Sequence, residues 1–181
     1  MPGHTEQRDR FVPVPVFPRF VHWITRLALA VLLLAPVTAP SSAGAADSSK
    51  LKDAMQTLKD ETAKLGKPRL DGEILYFGGT KVNGDFTVVD LVKAKYGGTA
   101  TLFARKGGNF VRVSTNVVKD GQRAVGTILD PSGPAVAAIK QGTAFYGLVD
   151  ILGTIYDTGY EPIKSEAGET IGVYYVGYAM E

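Results

Sequence analysis

Between Ile74 and Tyr178 the chain breaks into short apolar or β-branched runs separated by glycine-rich turns, and no run is long enough for a spanning helix. Gly78-Gly79, Asn83-Gly84-Asp85, Gly97-Gly98 and Glu166-Ala167-Gly168 punctuate it, and such clusters mark turns rather than element interiors. The runs Ile74–Phe77, Thr99–Ala104, Phe110–Asn116, Thr143–Val149, Gly153–Ile163 and Thr170–Tyr178 read as strands. Arg105 to Asn109 joins two of them as a hairpin. Three amphipathic stretches read as helices: Ser48–Leu65, Asp85–Lys95 and Ser132–Lys140. Val117–Pro131 is expected to be mostly loop. Strands without a regular strand–helix–strand rhythm predict an α+β domain on an antiparallel sheet.

At 181 residues the chain has room for one ordinary domain and an appendage. Its net charge of +2 comes entirely from the residues before Ala46, where four arginines face Glu6 and Asp9. The remainder is neutral, which gives no electrostatic footprint for nucleic acid or an anionic membrane. The absence of cysteine excludes disulfides, thiolate metal sites and cysteine nucleophiles.

Residues 1–45 read as a secretory signal. Arg8, Arg10, Arg19 and Arg26 precede the apolar run Leu27–Val37, and Ala43-Gly44-Ala45 supplies a small-residue site with cleavage expected after Ala45. An uncleaved anchor is the competing reading, but the apolar run falls well short of the ~20 residues that span a bilayer. Either way, the domain from Ala46 to Glu181 is expected outside the cytoplasm, periplasmic or secreted. His4, His22 and Trp23 all lie in the signal, so the domain itself has neither histidine nor tryptophan.

That composition removes the Ser-His-Asp and Cys-His arrangements and any histidine-based metal site. No carboxylate pair is selected by spacing, so no catalytic residue, cofactor or metal is expected. A binding pocket is better supported. Regular pleating of Phe110–Asn116 places Phe110, Arg112 and Ser114 on one face. An arginine flanked by valines is costly to bury unpaired, so Arg112 either reaches solvent, pairs with Asp150 or Asp157, or meets an anionic ligand. Tyr156 and Tyr160 share one face of the next-to-last strand, with Asp157 on the other, and Tyr146 comes from the preceding strand. Tyrosines of this kind offer apolar walls and orienting hydroxyls.

Several phrases carry a family resemblance: TATLFARKGGNFVRVSTN, DGQRAVGTILDP, GTAFYGLVDILGTIYDTGYEPI and the closing IGVYYVGY. They resemble the Cache domain of the Cache 3/Cache 2 type, an extracytoplasmic small-molecule sensor, over residues 51–180. The resemblance implies a PAS-like central antiparallel sheet of about five strands with an N-terminal helix and short flanking helices. It also places Arg123, which begins RAVGT, in the loop covering the pocket. The expected ligand set is Arg112, Ser114, Arg123, Tyr146, Tyr156 and Tyr160. With Asp157 turned away, no acidic partner for an amine is in view, and a small carboxylate is favoured. With no output module after the domain, the signal would pass to a membrane receptor or sensor kinase. The alternative is a non-catalytic interaction module with an occluded pocket, using YYVGYAM as an exposed edge strand.

Overall fold

The computed structural model describes residues 43–180, with side chains from residue 49 onward. The expected signal segment and its cleavage site lie outside those residues, apart from 43–45, which begin the first helix.

Helix α1 (Ala43–Leu65) exists because Leu51, Met55, Leu58 and Thr62 recur every three or four residues and all four are buried. Burying a leucine or methionine side chain contributes roughly 1.5–3 kcal/mol, so this stripe, rather than helix propensity, holds α1 on the sheet. Thr62 turns its hydroxyl back to the Leu58 carbonyl at 3.0 Å, and so enters the core without an unpaired donor. The helix ends at Gly66, whose φ of +123° a side chain would strain.

A small meander follows: β1 (Pro68–Asp71), β2 (Ile74–Phe77) and β3 (Thr80–Lys81). Helix α2 (Thr87–Tyr96) is preceded by Asp85, whose carboxylate accepts from the Thr87 amide at 2.9 Å and hydroxyl at 2.7 Å. Then come β4 (Thr99–Lys106) and β5 (Asn109–Thr115), and a short hairpin, β6 (Val118–Lys119) and β7 (Gln122–Arg123), inside the stretch expected to be loop. Helix α3 (Pro134–Lys140) opens with proline at its first position, where a missing N–H costs nothing. Strands β8 (Phe145–Ile151), β9 (Thr154–Lys164) and β10 (Thr170–Ala179) complete the described chain.

The main sheet has five strands in the order β5-β4-β10-β9-β8, all neighbours antiparallel. The α+β expectation holds. One detail is corrected: YYVGY lies in β10, the central strand with partners on both sides, and offers no free edge. A near-continuous buried run, Ile171–Gly177, suits a strand covered on both faces. One face packs on α1 and α2 through Leu58, Leu102, Val113 and Tyr174. The other carries Phe103, Tyr160, Val173 and Tyr175 under α3 and the loop after β7. This second face holds the candidate site.

Candidate ligand-binding site

The site depends on an irregularity in β5. Leu102 pairs with Ser114, but the next residue, Phe103, pairs with Arg112, so Val113 is an extra residue bulged out of register. Residues opposite each other on paired strands share a face. Arg112 therefore joins Phe103 on the α3 face, while Ser114 joins Leu102 on the α1 face.

Arg112 is 4% exposed. Its guanidinium lies 5.0 Å from the centre of the Phe103 ring, and it donates to the Thr127 hydroxyl at 2.6 Å. Its Nε finds no hydrogen-bond partner. No carboxylate pairs with it among the described residues, and burial pulls its pKa below the ordinary arginine value. Tyr160 on β9 is fully buried, with its ring 4.9 Å from that of Tyr175 and 6.2 Å from that of Phe145. Its hydroxyl also lacks a partner, and burial pushes its pKa upward against the opposing pull of Arg112. The Tyr175 hydroxyl, by contrast, meets Thr99 Oγ1 at 3.0 Å.

Arg112 and Tyr160 line one cavity of about 120 Å³. Ile128, Leu129 and Asp130 form its roof, and Val149 to Leu152, at the end of β8 and the following turn, form its outer wall. The roof is tied down: the Arg112 amide donates to the Thr127 carbonyl, the Gly126 amide to the Arg112 carbonyl and the Leu129 amide to the Phe110 carbonyl, each at 2.9 Å. At the rim, Asp130 accepts from the Ser132 amide (2.9 Å) and hydroxyl (2.7 Å), and Asp150 from the Gly153 amide (2.8 Å). Both carboxylates are exposed and neither neutralises Arg112. Two residues with an unpartnered buried donor, one of them cationic, thus stand at the same small cavity. A larger open groove of about 500 Å³ lies by Arg105, Lys140 and Lys164, but no unpartnered buried polar atom faces it.

Three expected site residues sit elsewhere. Ser114, moved by the bulge, donates to the Asp85 carbonyl at 2.5 Å and fastens the loop before α2. Tyr146 pairs with Gly159, so it stands on the α1 face, where its hydroxyl donates to Glu161 Oε1 at 2.6 Å beside the Lys59–Glu161 ion pair (2.7 Å). Arg123 forms a two-pronged pair with Asp90 of α2, 2.8 Å on each arm, donates to the Thr115 carbonyl and lies 4.3 Å from the Phe86 ring centre. With its donors so engaged, Arg123 anchors the β6–β7 hairpin to α2 rather than facing the cavity. Tyr156 is on the expected face, half-buried against the core around Tyr160 but not among the residues that line the cavity, and Asp157 is on the opposite face. Thr127 and Asp130 were not anticipated; their spacing carries no motif, and only the path of the loop after β7 brings them to Arg112, while Asp150, weighed as a partner for Arg112, lines the cavity without pairing with it.

A five-stranded antiparallel sheet with a long helix along one face and a small roofed cavity on the other defines a PAS-like domain. Residues 43–181 match the Cache 3/Cache 2 fusion domain, and the chain belongs to that family of extracytoplasmic small-molecule sensors. Among solved structures it is similar to the GAF domain of A. aeolicus nlh2 in an inactive state (12% identity over 74% of this chain and 82% of that one, TM-score 0.45). It is also similar to the ligand-binding domain of the Campylobacter jejuni chemoreceptor Tlp3 in complex with L-valine (13% identity over 76% and 54%, TM-score 0.46). A third similar structure is a methyl-accepting chemotaxis protein X (16% identity over 76% and 61%, TM-score 0.37). No curated protein matches the sequence.

Proposed function

We propose that this domain is an exported, non-catalytic sensor that binds a short-chain organic monocarboxylate between Arg112 and Tyr160. One observation carries the reading: the Nε of Arg112 and the hydroxyl of Tyr160 are both buried and both unpartnered, and the two residues line the same cavity. A buried donor left unsatisfied costs about 1–3 kcal/mol, and more when charged, so such a pair is kept at a loss unless a ligand accepts from it. A carboxylate accepts from both and supplies the missing negative charge. The volume of about 120 Å³ matches roughly four water molecules at ~30 Å³ each, which fits an acid of two to four carbons. Asp130 at the rim would repel a second negative charge, favouring monoanions over dicarboxylates. In this reading occupancy is relayed to a membrane receptor or sensor kinase, as befits a family of sensor domains.

The test is a thermal-shift and calorimetric screen of the purified protein against acetate, propionate, pyruvate, succinate, amines and purines. At a hundred times its dissociation constant a ligand adds ~2.7 kcal/mol of stability. Shifts confined to the monocarboxylates, and lost in a folded Arg112→Ala variant, support the assignment. Unchanged binding in that variant sinks it.

A further inference from the structure

The two edges of the main sheet are finished differently. The outer edge of β5 is closed by residues 126–129, through the three backbone hydrogen bonds at Phe110 and Arg112. Among the described residues, nothing pairs with the outer edge of β8.

The phase of the antiparallel ladder identifies which groups that edge presents. The Met180 amide donates to the Ile155 carbonyl, so Ile155 directs its backbone toward β10. Backbone direction alternates along a strand, so Thr154, Tyr156, Thr158 and Tyr160 are the β9 residues that bond to β8. Their partners are Ile151, Val149, Gly147 and Phe145. Tyr146, Leu148 and Asp150 therefore point their amides and carbonyls away from the sheet. Their side chains share the α1 face, where Leu148 is 61% exposed and Ile155 on the neighbouring strand 46%. Exposed edges in soluble proteins are usually blunted by lysine, proline, a bulge or shortness. Strand β8 has seven residues, an unbroken register with β9 and one charge, Asp150.

We propose that two copies of this chain join through β8, antiparallel about a two-fold axis at Leu148, to form one continuous ten-stranded sheet. The sequence of the edge argues for a second copy as the occupant. An axis at Leu148 sets Leu148 against itself and Tyr146 against Asp150 of the second copy, so every outward amide meets an outward carbonyl. No like charges then face each other, and the tyrosine ring lies beside the one carboxylate. Moving the axis by two residues along the strand would set Asp150 or Tyr146 against itself and leave outward groups unpaired. This pairing does not depend on what the cavity binds.

The test is sedimentation equilibrium of the purified protein at micromolar concentration, with circular dichroism to check the fold. The expected wild type is a dimer. Leu148→Pro removes an outward N–H that the β8–β9 ladder does not use, a position where an edge strand accepts proline. It should weaken dimerisation at least tenfold while the spectrum is unchanged. Because proline could still unfold the strand, a second set uses Leu148→Lys and Leu148→Glu. Each alone sets like charges across the axis and should be monomeric, and an equimolar mixture should dimerise. A monomeric wild type overturns the proposal. So does a dimer that persists in all three variants, or a mixture of the charged variants that stays monomeric while both are folded.

Discussion

Arg112 and Tyr160 line the same 120 Å³ cavity, and the Nε of one and the hydroxyl of the other lack hydrogen-bond partners although both residues have almost no exposed surface. One sits on strand β5 and the other on β9, with β4 and β10 between them. Their meeting is a product of the fold, and their shared lack of a partner is what makes the cavity chemically specific.

Arg112→Met should separate stability from binding. An unpaired buried charge is a burden on the ligand-free fold, while methionine keeps most of the volume over Phe103. The variant should melt at the same temperature as the wild type or a few degrees higher without ligand, and lose at least tenfold in carboxylate affinity. A calorimetric melt paired with a titration reads both; a large drop in melting temperature would show that the guanidinium supports the core.

Tyr160→Phe removes one donor and nothing else. A hydrogen bond to a charged group is worth about 1.5–3 kcal/mol, so affinity should fall by roughly 10- to 100-fold with stability held. Because burial keeps the Tyr160 hydroxyl protonated past its ordinary value of 10.0, wild-type affinity should be flat from neutral pH to about pH 9. A fall in affinity across that range would argue against the hydroxyl as donor.

Arg123→Ala should behave in the opposite manner. It breaks the pair with Asp90 and the contact with Phe86. The site is about one-third exposed, so the loss should be near 1 kcal/mol, with ligand affinity within about threefold of wild type. Urea melts of Arg123→Ala, Asp90→Ala and the double variant would give the coupling. Loss of ligand binding in Arg123→Ala would return this residue to the pocket.

Glu161 predicts the acid limb of stability. Burial raises its carboxyl, but hydrogen bonds from Lys59 and Tyr146 outweigh that and hold it below the ordinary 4.5. A lowered folded-state value means the contribution is present above pH 4.5 and lost as pH falls through the lowered value. Glu161→Gln should be less stable than wild type at neutral pH, and the two melting temperatures should converge on acidification. A constant gap down to strongly acidic pH would contradict the linkage.

Gly78→Ala should be severe. A Cβ there would fall 2.2 Å from the Leu65 carbonyl oxygen, and φ is +56°. Backbone on both sides cannot yield as a side chain can, so a loss of about 2–4 kcal/mol is expected in a chemical melt. Gly72→Ala, at a similar φ of +59° but with open space around it, should lose only about 1 kcal/mol and serves as the control.

The helices and the five sheet strands were legible because each rests on a local period of apolar residues. Arg112 could be singled out for the same reason, as a charge within an apolar strand. Ser114 could not be placed, because the bulge at Val113 resets the alternation and nothing in FVRVSTN announces it. Tyr146 escaped for a related reason: its face follows from its pairing with Gly159, and a strand read alone has no partner. The engagement of Arg123 was equally hidden, since Asp90 belongs to a helix that only the tertiary fold brings alongside. The short β6–β7 hairpin has too few residues for a period of two to declare itself.

The roof over Arg112 is laced to β5 by backbone hydrogen bonds, whereas the opposite wall ends in the β8–β9 turn, where Leu152 holds a φ of +57°. The two sides are thus held by different means. Traffic of a ligand in and out would run past the turn, because opening the roof means breaking three backbone hydrogen bonds. Affinity would be written in the floor of the cavity, and the lifetime of the bound state in the turn at its mouth.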